Sequence, residues 1–142
     1  MKSLFFSLVF CIGLGFAAQT KPWVSYKEAI EGSEKNGKPI LIEFYADWCI
    51  PCLEMEKTIF KDPEVIKELR NNFYFVRINT EKEQDIFCEG EILPIFDCLE
   101  LWELSGVPSF AVLDKNGSLK HITVGAFGKK SFMNFLKAIR AK

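Results

Sequence analysis

Two cysteines three positions apart, in Trp48-Cys49-Ile50-Pro51-Cys52, are the residues of this 142-residue chain best suited to chemistry. A dithiol at that spacing closes into a disulfide with little backbone movement. It stands between an apolar run that reads as a buried strand and a stretch of helix formers, so Cys49 falls at the first turn of a helix. Free N–H groups and the helix dipole favour negative charge there, and the thiolate they stabilise is the nucleophile. Cys49 is expected to attack a partner's disulfide and form a mixed disulfide. Cys52, one turn further in and less exposed, is expected to resolve it. Pro51 fits because the first turn needs no N–H. Two metal readings use the same thiols. Structural zinc needs two further ligands, and past the N-terminal leader only Cys88, Cys98 and His121 remain, with no second tight pair. Copper(I) suits thiolates, with Met55 near and His121 far in sequence.

The elements that must position the dithiol are legible on either side of it. Ser25 followed by Glu28 reads as a capping box that opens a helix ending near Asn36-Gly37. Pro39 to Ala46 is an almost continuous apolar run, suited to a strand covered on both faces. Glu43 interrupts it. A carboxyl inside such a strand is desolvated, which raises its pKa and suits it to moving a proton to or from Cys52. The competing reading is a strand-edge residue or a structural ion pair with Arg77. A helix runs on from Cys49, and Asp62-Pro63-Glu64 starts another with an acidic cap and an early Pro. Phe73 to Ile78 alternates as a second strand. Residues 81–104 are mixed, with Pro94 in the middle and helical spacing among Phe96, Leu99 and Glu103. Phe110 to Leu113 and Leu119 to Val124 are strands joined by a link containing Asn116-Gly117, a hairpin signal. Ser131 to Ile139 closes the chain as a helix with Phe132, Phe135, Leu136 and Ile139 on one face. One compact α/β domain is expected, without internal repeats or a linker.

The segment Phe44-Tyr45-Ala46-Asp47-Trp48-Cys49-Ile50-Pro51-Cys52 resembles the active-site segment of the thioredoxin superfamily. Ser105-Gly106-Val107-Pro108-Ser109-Phe110 is similar to its second signature, a loop with a cis-proline facing the dithiol. The run from Tyr45 to Cys49, Glu56 and the Phe60 to Val65 segment look closest to the periplasmic thioredoxin-like domain of DsbD-type thiol:disulfide interchange proteins. The resemblance implies a thioredoxin fold, a central mixed β-sheet flanked by helices, and a protein-disulfide reductase type of thiol-disulfide oxidoreductase that needs no cofactor. It implies that Pro108 is cis, the isomer that costs little only at proline, and that the Val107 backbone meets a bound substrate strand. It also implies that Glu43 is the buried acid behind the dithiol, that Arg77 stands where a Lys often pairs with that acid, and that Glu56 is a second candidate acid. Trp48, Ile50, Pro51, Val107 and Pro108 would form the substrate-binding surface, with ordinary packing the competing role for Trp48 and a solvated helix face that for Glu56.

This chain departs from the family where twenty-eight residues separate Asn79 from Pro108. The insert, about residues 80–104, carries Cys88 and Cys98. In an oxidising compartment a structural disulfide between them is the first expectation. A second redox-active pair and two unpaired thiols are the other readings. Ile50 is bulkier than the Gly common at that position, which leaves the redox poise open.

Residues 1–18 are laid out as a secretory signal peptide: Lys2, the apolar run from Leu4 to Leu14, then Gly15-Phe16-Ala17-Ala18. An uncleaved anchor is the rival reading, and Cys11 inside the apolar run is poorly placed for lipid attachment. Either way residues 19–142 form the domain outside the cytoplasm, in the periplasm or its equivalent, where disulfides persist. A net charge of −1 gives no footprint for nucleic acid. The chain has no Gly-x-Gly-x-x-Gly fingerprint for a dinucleotide, so electrons must come from another protein dithiol, expected to be a membrane-embedded thiol reductant. Protein disulfides are the expected substrates and a monomer the expected state. A disulfide-introducing oxidase of the same fold and a Cu(I) chaperone or binding module are the alternatives.

Overall fold

A computed structural model describes residues 21–82 and 84–140. The expected signal peptide, 1–18, and Cys11 lie outside the described residues. Helix α1 (Tyr26–Asn36) begins at the predicted capping box: the Glu28 amide donates to Ser25 Oγ at 3.2 Å, and the Ser25 amide donates to the Glu28 carboxylate at 2.8 Å. It ends at Gly37, whose φ of 74° is open to glycine at little cost. The chain then enters β1 (Ile40–Tyr45), followed by α2 (Ile50–Lys57), a 3-10 turn (Ile59–Lys61), α3 (Pro63–Asn72) and β2 (Tyr74–Asn79). The insert supplies β3 (Asp85–Cys88), β4 (Glu91–Pro94) and α4 (Ile95–Leu101), and β5 (Ser109–Leu113), β6 (Leu119–Val124) and α5 (Lys129–Arg140) complete the chain.

The main sheet runs β2-β1-β5-β6, with β1 parallel to β2 and antiparallel to β5, so it is mixed as expected. Strand alternation sends Ile40, Ile42 and Phe44 to one face and Leu41 to the other. The Leu41 face is covered by Met55 of α2, Val65 and Leu69 of α3, and Phe132 and Leu136 of α5. The opposite face is covered by Ala29 of α1 together with Ile86, Cys88, Ile95, Cys98 and Trp102 from the insert. The insert therefore completes one of the two cores. Trp102 meets Phe44 edge-on at 6.2 Å between ring centroids.

Two details of the insert differ from the sequence expectation. Strands β3 and β4 form a hairpin turning at Glu89-Gly90, both with positive φ (51° and 90°), as a two-residue primed turn requires. Glu in place of the usual Asn or Asp hides that signal. The left-handed Glu89 is held by its carboxylate, which accepts from the Trp102 indole N–H at 3.1 Å and the Leu119 amide at 2.9 Å. Helix α4 buries Ile95 and Cys98, whereas Phe96 is exposed and Glu103 lies past the helix with φ 53°. Of the Phe96/Leu99/Glu103 spacing only Leu99 packs partly against the core, beside Ile95 and Cys98. Asn116-Gly117 turns β5 into β6 as predicted, with Asp114 accepting the Asn116 and Ser118 amides at 2.8 and 3.1 Å.

Candidate active site around the Cys49–Cys52 disulfide

Cys49 caps the N-terminus of α2 and Cys52 lies in its first turn, where the Cys52 amide donates to Cys49 Sγ at 3.3 Å. The two are joined as a disulfide with Cα atoms 5.3 Å apart. The apolar strand β1 delivers the chain into this turn, and Pro51 sits within the first two helical positions, where its missing N–H costs nothing. Cys49 is 2 % exposed and Cys52 is fully buried, with Ala46, Tyr45 and Val107 packed around them. The expected order of exposure holds, although Cys49 itself is nearly covered. The reactive end is flanked by Trp48 and Ile50, which are 66 % and 65 % exposed.

The Val107–Pro108 peptide bond is cis. The Pro108 carbonyl accepts from the Gly125 amide at 2.8 Å, and Ser109 Oγ donates to the Gly106 carbonyl, so the loop is tied at both ends. Its Val107 side chain contacts the cysteine cluster. Dithiol and cis-proline loop are thereby brought together across more than fifty residues of sequence.

Glu43 is fully buried on the face of β1 shared with Leu41, the face α2 covers. Burial pushes its carboxyl up to about 7, against the opposing pull of Arg77 and with a small addition from Glu56. Arg77 is its direct partner across the β1–β2 ladder, and the Arg77 Nε–H donates to Glu43 Oε2. The same guanidinium donates to Glu56 Oε2 at 2.6 Å and lies over the rings of Tyr45, Trp23 and Phe60 at 4.3, 5.0 and 5.4 Å. The acid is therefore both desolvated and ion-paired. Glu43 Oε1 and Arg77 Nη2 are buried without a hydrogen-bond partner. Glu56 is half-exposed and connects this pair to the surface.

Sequence reasoning missed the residues that set Trp48. Its indole N–H donates to Glu81 at 2.6 Å, the Glu81 amide donates to Asn79 Oδ1 at 2.9 Å, and Asn79 donates to Asp47 at 2.8 Å. No local pattern marks a contact made by residues thirty-three positions apart. Cys88 and Cys98 form their own buried disulfide, Cα atoms 6.1 Å apart. His121 lies on β6, 6.0 Å from the Phe135 ring, and among the described residues no three Cys, His, Asp or Glu side chains converge as metal ligands.

Comparison with known proteins gives this arrangement a lineage. The family model described as a thioredoxin-like domain matches residues 26–140. The chloroplastic thioredoxin-like protein HCF164 of Oryza sativa subsp. japonica is 34% identical over 115 residues, 80% of this chain but only 37% of that protein's length. The thioredoxin of Borreliella burgdorferi is 30% identical over 112 residues, covering 79% of this chain and 82% of its own. Among solved structures, the reduced C-terminal domain of Neisseria meningitidis DsbD superposes with a TM-score of 0.60 at 26% identity, covering 79% of this chain and 91% of that one. A matching model over most of the chain and a thioredoxin aligned over most of its own length place the protein in the thioredoxin-like family.

Proposed function

We propose that this protein is an exported thiol-disulfide oxidoreductase that reduces disulfides of exported proteins. The observation that carries the reading is the Cys49–Cys52 pair at the N-terminus of α2, packed against a cis Val107–Pro108 bond. In the reduced protein the Cys49 thiolate attacks one sulfur of a substrate disulfide. A Cys49–substrate bond forms and the other substrate sulfur leaves as a thiolate. The Cys52 thiolate then attacks Cys49 Sγ, the Cys49–Cys52 disulfide forms, and the second substrate thiolate is released. Two electrons have passed to the substrate. Glu43, poised near neutrality, accepts the Cys52 proton as that thiol becomes a nucleophile. Arg77 orients this acid and links it to Glu56. Trp48, Ile50, Pro51, Val107 and Pro108 form the surface the substrate meets.

Return of the dithiol state takes two electrons from another protein dithiol, for which a membrane-embedded thiol reductant is the proposed donor. Likeness to a DsbD domain supports that choice, and the 1–18 leader supports export. No helix among the described residues is long and apolar enough to cross a membrane. The deciding experiment is insulin reduction together with the reduction potential of the Cys49–Cys52 couple. Turnover lost in Cys49→Ser and a potential near −270 mV, roughly the thioredoxin level, are expected; a value of about −120 mV, the DsbA level, would make the protein an oxidase instead. Cys52→Ala is expected to trap the Cys49–substrate mixed disulfide for identification.

A further inference from the structure

Beside the dithiol, the insert builds one wall of an open groove of about 470 Å³. Trp48, Val107, Leu104 and, from α4, Phe96 and Leu99 line it together with Glu81, whose carboxylate accepts from the Trp48 indole. Phe96 is 56 % exposed and Trp48 66 %, so two large aromatic rings face the same opening without cover. Apolar surface of this kind beside a reactive centre is a docking signal. The chain's charge is also polarised around it. Residues 80–104 hold eight acidic residues against Lys82 alone, while the rest of the chain holds seventeen basic against eleven acidic. Glu81 lines the groove itself, and the exposed Asp97 and Glu100 sit on the same short helix as Phe96 and Leu99.

From these observations we infer that the groove seats a segment of the substrate protein next to its disulfide cysteine, one that combines a bulky apolar side chain with Lys or Arg. The assignment rests on the oxidoreductase reading and adds the substrate class. The occupant follows from continuity: Val107 packs against the cysteines and Trp48 directly precedes Cys49, and both line the groove, so a polypeptide joined to Cys49 leads into it. The sign of the occupant follows from Glu81 and the acidic excess of residues 80–104, and its apolar part from Phe96 and Leu99. An extended acidic segment would bring like charges together at Glu81 and near the acidic helix α4.

The test uses the reduced full chain and synthetic cysteine peptides carrying glutathione in mixed disulfide, identical except for Leu-Lys, Leu-Glu or Ser-Ser beside the cysteine. Hydroxyethyl disulfide serves as a small neutral reference. The Leu-Lys peptide is expected to be reduced with a kcat/KM about fivefold above Leu-Glu at low salt, the gap closing at high salt. Phe96→Ser is expected to lower kcat/KM for Leu-Lys about tenfold and leave hydroxyethyl disulfide unchanged. The double variant Asp97→Asn, Glu100→Gln is expected to remove the Lys preference alone. Both are exposed changes that spare the cores. Equal rates for the three peptides, or equal slowing of the reference in Phe96→Ser, would overturn the groove while leaving the oxidoreductase reading intact. No reduction of hydroxyethyl disulfide by the unaltered protein would remove both. Self-association abolished by Phe96→Ser would give the groove to a second copy and also overturn the assignment.

Discussion

Replacing Glu43 by Gln isolates the energetic consequence of a carboxyl set into the middle of β1. Burial lifts this group from 4.5 to about 7. A carboxyl that is a weaker acid in the folded state binds more protons there than in the unfolded chain between those two values. Its contribution to stability is therefore complete below pH 4.5 and declines as pH rises through about 7. Working that titration through, wild type should lose roughly 2–3 kcal/mol between pH 5 and pH 8 on account of this residue. Gln keeps the shape and an acceptor for Arg77 but does not titrate, and most other ionisable groups cancel in the comparison. Urea unfolding of both proteins by circular dichroism, with the disulfides intact, measures the difference directly. Wild type minus Gln should fall steadily across the window. A flat difference, or one that rises with pH, would refute the reasoning, because the ionised Glu43–Arg77 pair would then outweigh the desolvation that opposes it.

Three further outcomes follow from the insert and its contacts. Converting Cys88 and Cys98 to Ala should cost about 3 kcal/mol in urea unfolding, the loop entropy of a closure ten residues long. Reduction of a small disulfide should survive within twofold if the pair is structural, and fall sharply if it relays electrons. Gly117→Ala should destabilise by about 1–3 kcal/mol, because φ is +76° and the added Cβ would meet the Phe87 ring at 2.5 Å. Phe87→Leu should recover part of that loss in a double-mutant cycle. Glu89→Ala leaves the Trp102 N–H and the Leu119 amide without their carboxylate acceptor, for an expected loss of about 2 kcal/mol and faster hydrogen exchange at Leu119.

What could be seen in the sequence was local or strongly patterned. The Ser25/Glu28 box, the apolar β1, the Asp62 cap and the Asn116-Gly117 turn each declare themselves within a few residues. The dithiol and the cis-proline were legible through their signatures, and Glu43 through its conflict with the strand around it. The β3–β4 hairpin was not, because four-residue strands carry too little alternation and a Glu occupies the left-handed corner. Nor could a pattern reveal that Arg77 would be roofed by Trp23, Tyr45 and Phe60, since those rings come from three separate segments. The same holds for Trp48 and Glu81, which meet where Asn79 ties their loops together. In each case the deciding partner is chosen by topology, and topology emerges only when the sheet closes.

Cys88 and Cys98 are wholly buried in the core shared with Phe44 and Trp102. A domain with the proposed reductase activity would live among molecules of its own kind, each armed with the same thiolate. Thiol–disulfide exchange needs a sulfur that can be approached in line, and these two sulfurs offer no approach. If the pair is structural, its placement in the core is what insulates it from its owner's chemistry. On the proposed reading, one chain carries a pair that turns over beside the exposed Trp48 and Ile50 and a second, core-enclosed pair that stays closed.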